Sequence, residues 1–231
     1  ENTCRQNVNL QLLTKRQHDA RWRSQRVIPQ TSKHMNSVTS ITRSLDKRRL
    51  DGAFTDLHPD RTYAQPVRWT KNQHLLASNS LEAGIQFHRA LDLLFDFSAQ
   101  PSEGQRAYLG WISALRRAIV ALGAEEIITN ADLAIPGKSY HGTSDIILHG
   151  GPAARGVVEC KVILKGDQTE ARPKDTMQLA AYCQLLAGRG SYDDIWAALA
   201  YVEIETRLVR LLVWDSARPL IECAAPLLRA A

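Results

Sequence analysis

The chain has 231 residues, the size of one ordinary domain with room for an arm. Hydrophobic residues make up 44% and charged residues 23%, which excludes wholesale disorder, and no apolar run approaches the ~20 residues of a membrane-spanning helix. The formal charge of +5 is uneven: residues 1–80 hold 14 Lys/Arg against 6 Asp/Glu, while residues 81–231 hold 15 against 18, and a basic arm on a slightly acidic body points to a polyanionic partner, nucleic acid being the commonest.

In chain order, residues 5–26 are polar and basic with weak helical spacing (Val8, Leu10, Leu12, Leu13), broken at Pro29. Residues 1–36 are read as a basic N-terminal extension and 37–231 as the folded domain. Val38, Ile41 and Leu45 predict one short helix over residues 37–50. Residues 51–80, with Gly52, Pro59 and Pro66, read as an irregular, partly helical connection. Leu81, Ile85, His88, Leu91, Phe95 and Phe97 mark an amphipathic helix, stopped by Gln100-Pro101-Ser102. Tyr108, Ile112, Leu115, Ile119 and Leu122 mark a second, stopped by Gly123.

The hydrophobic period then changes from about 3.6 to 2. Residues 127–135, 140–148 and 156–164 read as strands, joined by turns at Pro136-Gly137-Lys138 and Gly150-Gly151-Pro152. A helix follows over 175–187, then strands at 195–202 and 208–214 and a closing helix at 219–228. The order α-α-β-β-β-α-β-β-α describes an α/β domain on a central mixed β-sheet flanked by helices.

Charged residues interrupt two of these strands. Asp145 follows Gly142-Thr143-Ser144, and Glu159-Cys160-Lys161 interrupts an otherwise apolar run. Alternation puts Glu159 and Lys161 on one strand face and Cys160 on the other. If the two strands pair as a hairpin, Asp145 joins that face, and two carboxylates near a backbone carbonyl make a hard oxygen site for a divalent ion. A solvent-facing ion pair is the plainer reading of Glu159 and Lys161 taken alone.

Gly142 to Asp145 as G-x-x-D, then Glu159 to Lys161 as E-x-K, resembles the PD-(D/E)xK nuclease superfamily and its restriction-endonuclease-like core. Three flanking segments agree in order. Gln178-Leu179-Ala180-Ala181-Tyr182 is similar to the Q-x-x-x-Y helix of RecB-like nucleases, and Gly84-Ile85-Gln86-Phe87-His88 to their G-x-x-x-H helix. Ser37-Val38-Thr39 is similar to the S-V-T segment of phage exonucleases and the mitochondrial genome-maintenance exonuclease. Ser144 and Asn36 stand where family patterns often have proline.

The resemblance implies catalytic roles for Asp145, Glu159, Lys161, Gln178 and Tyr182. It also implies Mg²⁺ or Mn²⁺ held by Asp145, Glu159, the Cys160 backbone carbonyl and the His88 imidazole. Lys161 is expected to orient the attacking water or to neutralise charge in the transition state, and its burial beside a cation can depress its pKa. DNA is the expected partner, single-stranded or tailed ends being favoured, with Arg21, Arg23, Arg26, Lys47, Arg48 and Arg49 as phosphate contacts. An exonuclease processing DNA ends in replication, recombination or repair is the leading expectation. An endonuclease of the same superfamily and a non-catalytic DNA-binding scaffold are the alternatives, and a homo-oligomer or a recombination or replication partner stays open.

Cys4, Cys160, Cys183 and Cys223 form no C-x-x-C pair, so neither a disulfide scaffold nor an iron–sulfur cluster is expected. An intracellular location follows, cytoplasmic in a bacterium or phage-infected cell, with a mitochondrial one the lesser alternative. Pro136-Gly137-Lys138-Ser139 is not a phosphate-binding loop, because Asp132 stands where its first glycine belongs. No G-x-S-x-G elbow or H-E-x-x-H helix occurs.

Overall fold

Capping sets the first elements. A computed structural model describes residues 36–68, 73–94, 100–134, 140–188 and 190–229. A two-residue strand β1 (Asn36–Ser37) leads into α1 (Val38–Ser44), where the Ser37 side chain accepts from the Ser40 N–H at 3.0 Å. The single helix expected over 37–50 is in fact two. Leu45 is extended, and Asp46 starts α2 (Lys47–Phe54) by accepting from the backbone N–H groups of Arg48 and Arg49. A carboxylate that satisfies two orphan donors opens a new helix rather than continuing the old one.

The connection expected over 51–80 contains a strand, β2 (Arg61–Pro66), antiparallel to the later β7 from Arg61↔Val213 to Pro66↔Leu208. Its composition hides it, because an edge strand needs little apolar surface and tolerates proline. Helix α3 (Ser80–Leu91) buries Ala83, Phe87, Ala90 and Leu91, not the expected Leu81 and Ile85, which are 76% and 39% exposed. Two alanines let the helix lie close, and Phe87 meets Tyr108 edge-on, ring centroids 6.0 Å apart. Phe95, Phe97, the turn at 136–138, the arm and Cys4 lie outside the described residues.

After the short α4 (Glu103–Arg106), α5 (Leu109–Ala121) buries Ile112, Leu115 and Ile119 as the spacing predicts, with Gly123 at φ +80° behind it. Then come β3 (Ala124–Ala134), β4 (Tyr140–Gly150), β5 (Arg155–Ile163), α6 (Pro173–Ala187), β6 (Ile195–Glu203), β7 (Leu208–Trp214) and α7 (Arg218–Arg229). Gly150 and Gly151, both at positive φ, turn β4 into β5.

The described strands form one mixed sheet in the order β1-β4-β5-β6-β7-β2, with β3 also paired to β4. β5 and β6 are parallel and joined through α6, while β4–β5 and β6–β7 are antiparallel. Side-chain alternation divides the interior in two. Ile147, Val157, Leu199, Tyr201 and Leu212 pack beneath α1, α2, α6 and α7. Ile146, Val158, Cys160, Ala200 and Leu211 pack beneath α3 and α5. β6 lies between both layers and is buried along its whole length, hence its nearly unbroken apolar run. This is the expected α/β architecture, a central mixed sheet flanked by helices. Among the described residues no helix is long and apolar enough to cross a membrane.

Candidate active site

The β4–β5 ladder runs from His149↔Arg155 to Ile146↔Val158, and Asp145 and Glu159 follow at the next step on their strands. Both lie in phase with Ile147 and Val157, on the sheet face that α6 covers, and Lys161 continues that phase. Asp145 Oδ2 accepts the Cys160 N–H at 2.8 Å, so the carboxylate takes over a backbone donor just past the end of the ladder. Its other oxygen, Oδ1, lies 3.1 Å from His88 Nδ1 on α3.

Glu159 is 2% exposed. Its Oε1 accepts from Lys161 Nζ at 2.7 Å, while Oε2 is buried with no hydrogen-bond partner. Lys161 Nζ also donates to Gln178 Oε1 at 2.9 Å, and Gln178 Nε2 donates to the Tyr182 hydroxyl at 3.2 Å. His88, Asp145, Glu159, Lys161, Gln178 and Tyr182 therefore stand together, supplied by α3, β4, β5 and α6. The Cys160 side chain is on the opposite face, and burial pushes its thiol pKa well up.

Electrostatics follow from burial and crowding. Burial, then the Asp145 charge, raises the Glu159 pKa, and Lys161 offsets this only in part. Burial lowers the Lys161 pKa, but the charge and hydrogen bond of Glu159 raise it by more. The net direction is upward, so the Glu159 carboxylate favours the ammonium form. Burial opposes charge on His88 most strongly, but its bond to Asp145 together with the Asp145 and Glu159 charges outweighs that, so its pKa is raised. Tyr182 is pushed up to about 12 by burial and then by Glu159.

Among the described residues no three His, Cys, Asp or Glu side chains gather as a metal-binding cluster. The donors on this face are the two carboxylates. A buried carboxylate oxygen with no partner, beside a second carboxylate, fits a hard divalent ion, which takes one or two carboxylates and completes its shell with water or phosphate oxygens.

Gly142 belongs to the site through its lack of a side chain: a Cβ there would lie 2.7 Å from Tyr182 Cε1 and 3.2 Å from Val38 Cβ. Two residues that sequence reasoning passed over flank Lys161. The Tyr201 hydroxyl donates to Asp175 Oδ2 at 3.2 Å and accepts the Arg172 N–H at 3.0 Å. Asp175 precedes Gln178 by three positions, a same-face helical spacing that was readable. Tyr201 carries no such signal, because only the β5–β6 register brings it beside Lys161.

Lys47, Arg48 and Arg49 are exposed on α2, which packs against α6 and α7. Arg21, Arg23 and Arg26 lie outside the described residues.

No family profile and no curated protein matches the chain. Among solved structures it is similar to SSO0001, at 15% identity over 80% of this chain and 83% of that one, TM-score 0.32. It is also similar to an alkaline exonuclease, LHK-Exo, from Laribacter hongkongensis, at 12% identity over 69% of this chain and 81% of that one, TM-score 0.36. Superpositions this loose carry no argument about chemistry, which rests on the geometry of this chain alone.

Proposed function

We propose that the chain is a metal-dependent nuclease that hydrolyses DNA phosphodiester bonds. The observation that carries this reading is the unpartnered, buried oxygen of Glu159 beside Asp145, with Lys161 fixed next to it. Asp145 and Glu159 would hold Mg²⁺ or Mn²⁺, with the Cys160 carbonyl as a further oxygen. Such an ion activates water and offsets charge on the scissile phosphate. His88 binds Asp145 through Nδ1, which orients that carboxylate and leaves Nε2 for an ion or a phosphate. Lys161 directs two of its three donors to Glu159 and Gln178, and the third is available to orient a water or a phosphate oxygen. Tyr182 holds the Gln178 amide.

The S-V-T segment supports the finer reading: an exonuclease acting on single-stranded or tailed ends in replication, recombination or repair. The deciding experiment supplies end-labelled linear and covalently closed circular DNA, single- and double-stranded, with Mg²⁺, Mn²⁺ or EDTA. Wild type is compared with Lys161→Ala. Metal-dependent loss of linear DNA alone, abolished in the variant, is the expected result. Nicked circles transfer the protein to the endonucleases. DNA binding without cleavage under any condition overturns catalysis in favour of a scaffold.

A further inference from the structure

Two rungs tie α6 to the sheet at the site. Lys161 and Tyr201 are register partners on the parallel strands β5 and β6, so their side chains stand next to each other on the face beneath α6. Asp175, Gln178 and Tyr182 are spaced i, i+3, i+7 on that helix and share one side of it. One rung joins Lys161 to Gln178 at 2.9 Å and the other joins Tyr201 to Asp175 at 3.2 Å. Their sheet ends are neighbours and their helix ends are one turn apart, close enough for the Asp175 and Lys161 charges to act on each other.

The Tyr201 hydroxyl is polarised toward this arrangement. It accepts the Arg172 N–H, so its own proton is directed at Asp175. The Arg172 guanidinium lies 6.0 Å over the Tyr201 ring and donates through Nε to Gln168. Asp175 is only 9% exposed, and burying a carboxylate is costly unless nearby charge offsets it. Burial raises its pKa overall, and Lys161 supplies the largest offset, ahead of Arg172 and the Tyr201 bond. A helix–sheet hydrogen bond alone needs no charge, since an asparagine would accept from Tyr201 equally well.

We propose that Asp175 is a positioning residue for Lys161: together with Glu159 and the Gln178 rung, it fixes where the ammonium stands, without itself touching substrate. The inference rests on Lys161 acting in catalysis, and its test is built so that the two ideas fail separately. Asp175→Asn keeps the acceptor for Tyr201 and removes the charge, Asp175→Glu restores the charge, and Tyr201→Phe breaks the rung while leaving the charge. Each is compared with wild type for kcat, KM, melting temperature and the Lys161 signal in ¹³Cε-lysine-labelled protein, assigned with Lys161→Arg.

Asp175→Asn is expected to lower kcat about 10- to 100-fold with KM within about twofold, in the range typical of residues that orient a catalytic group. Its Lys161 signal shifts with little change in melting temperature, Asp175→Glu recovers part of kcat, and Tyr201→Phe produces a smaller change of the same kind. An unmoved Lys161 signal in Asp175→Asn overturns the proposal, as does a kcat loss matched by loss of folded protein with no recovery in Asp175→Glu. If Asp175→Asn does not fold, Tyr201→Phe decides by the same signal. If the wild type cuts no DNA, the nuclease reading fails while the Lys161 signal still judges the position of the ammonium.

Discussion

A methyl group at residue 142 would sit 2.7 Å from the Tyr182 ring, whereas one at residue 84 would meet nothing within 4 Å. Two glycines from equally short motifs therefore have different reasons to exist. Gly142→Ala must move Tyr182 or β4 and is expected to cost roughly 1–3 kcal/mol, with a matching loss of cleavage. Gly84→Ala fills open space on a helix and is expected to stabilise the fold by up to about 1 kcal/mol. Chemical denaturation of the two variants checks the contrast. Glu159 gives a second prediction. Burial and then the Asp145 charge push its pKa above the ordinary carboxylate value, so the stability it contributes is lost as pH rises through that raised value. Glu159→Gln removes the opposed charge. Adding Mg²⁺ should raise the melting temperature of wild type but not of this variant. Equal Mg²⁺ shifts in both proteins would remove Glu159 from the ion site. Asp145, Glu159 and Lys161 were legible because charge in an apolar strand is a local pattern, and Gln178 and Tyr182 because a short helical motif resembles one in a known family. The reason for Gly142 was not, because the ring it avoids lies 40 residues away in the chain.

The elements that carry the site are set by a loop. Residues 164–172 join β5 to α6, and their backbone is gripped from β6 and the turn after it. Glu203 Oε1 accepts the Gln168 N–H at 3.1 Å and Glu205 Oε2 the Gly166 N–H at 2.6 Å. Glu203 is fully buried, yet its carboxylate is matched by Arg210 Nε at 2.9 Å and Thr206 Oγ1 at 2.6 Å. Burial alone would raise its pKa; these donors outweigh it and hold the pKa below the ordinary range. The stability that Glu203 contributes is thus complete above the ordinary carboxylate range and lost as pH falls through its depressed value. Glu203→Ala strands Arg210 and is expected to cost about 3–5 kcal/mol, the typical result of breaking a buried pair. Its acid-unfolding profile should be flatter than that of wild type; identical profiles would show that Glu203 carries no pH-linked stability. Elements with strong periodicity, such as α5, β5 and α6, were readable. The break at Asp46, the polar edge strand β2 and the buried face of α3 were not, because each depends on which neighbour covers it.

Across the whole molecule the charge is asymmetric, and Lys47, Arg48 and Arg49 display part of the excess on one exposed helix of the domain. Replacing all three with alanine should weaken DNA binding and lower the slope of log K against log salt by about 0.7–0.9 for each phosphate no longer neutralised, while leaving melting nearly unchanged. An unaltered slope would place the DNA path elsewhere. By itself the sequence determined the α/β class, the order of the principal elements from residue 81 onward and the six side chains that meet at the site. It could do so because hydrophobic period and residue spacing are properties of a few adjacent turns or strand steps. Only the tertiary structure decided that Glu159 keeps one oxygen unpartnered, that Lys161 reaches both Glu159 and Gln178 and that Tyr201 stands beside it. Those outcomes depend on desolvation and on the register between strands, which are fixed when distant segments pack and leave no mark on local sequence.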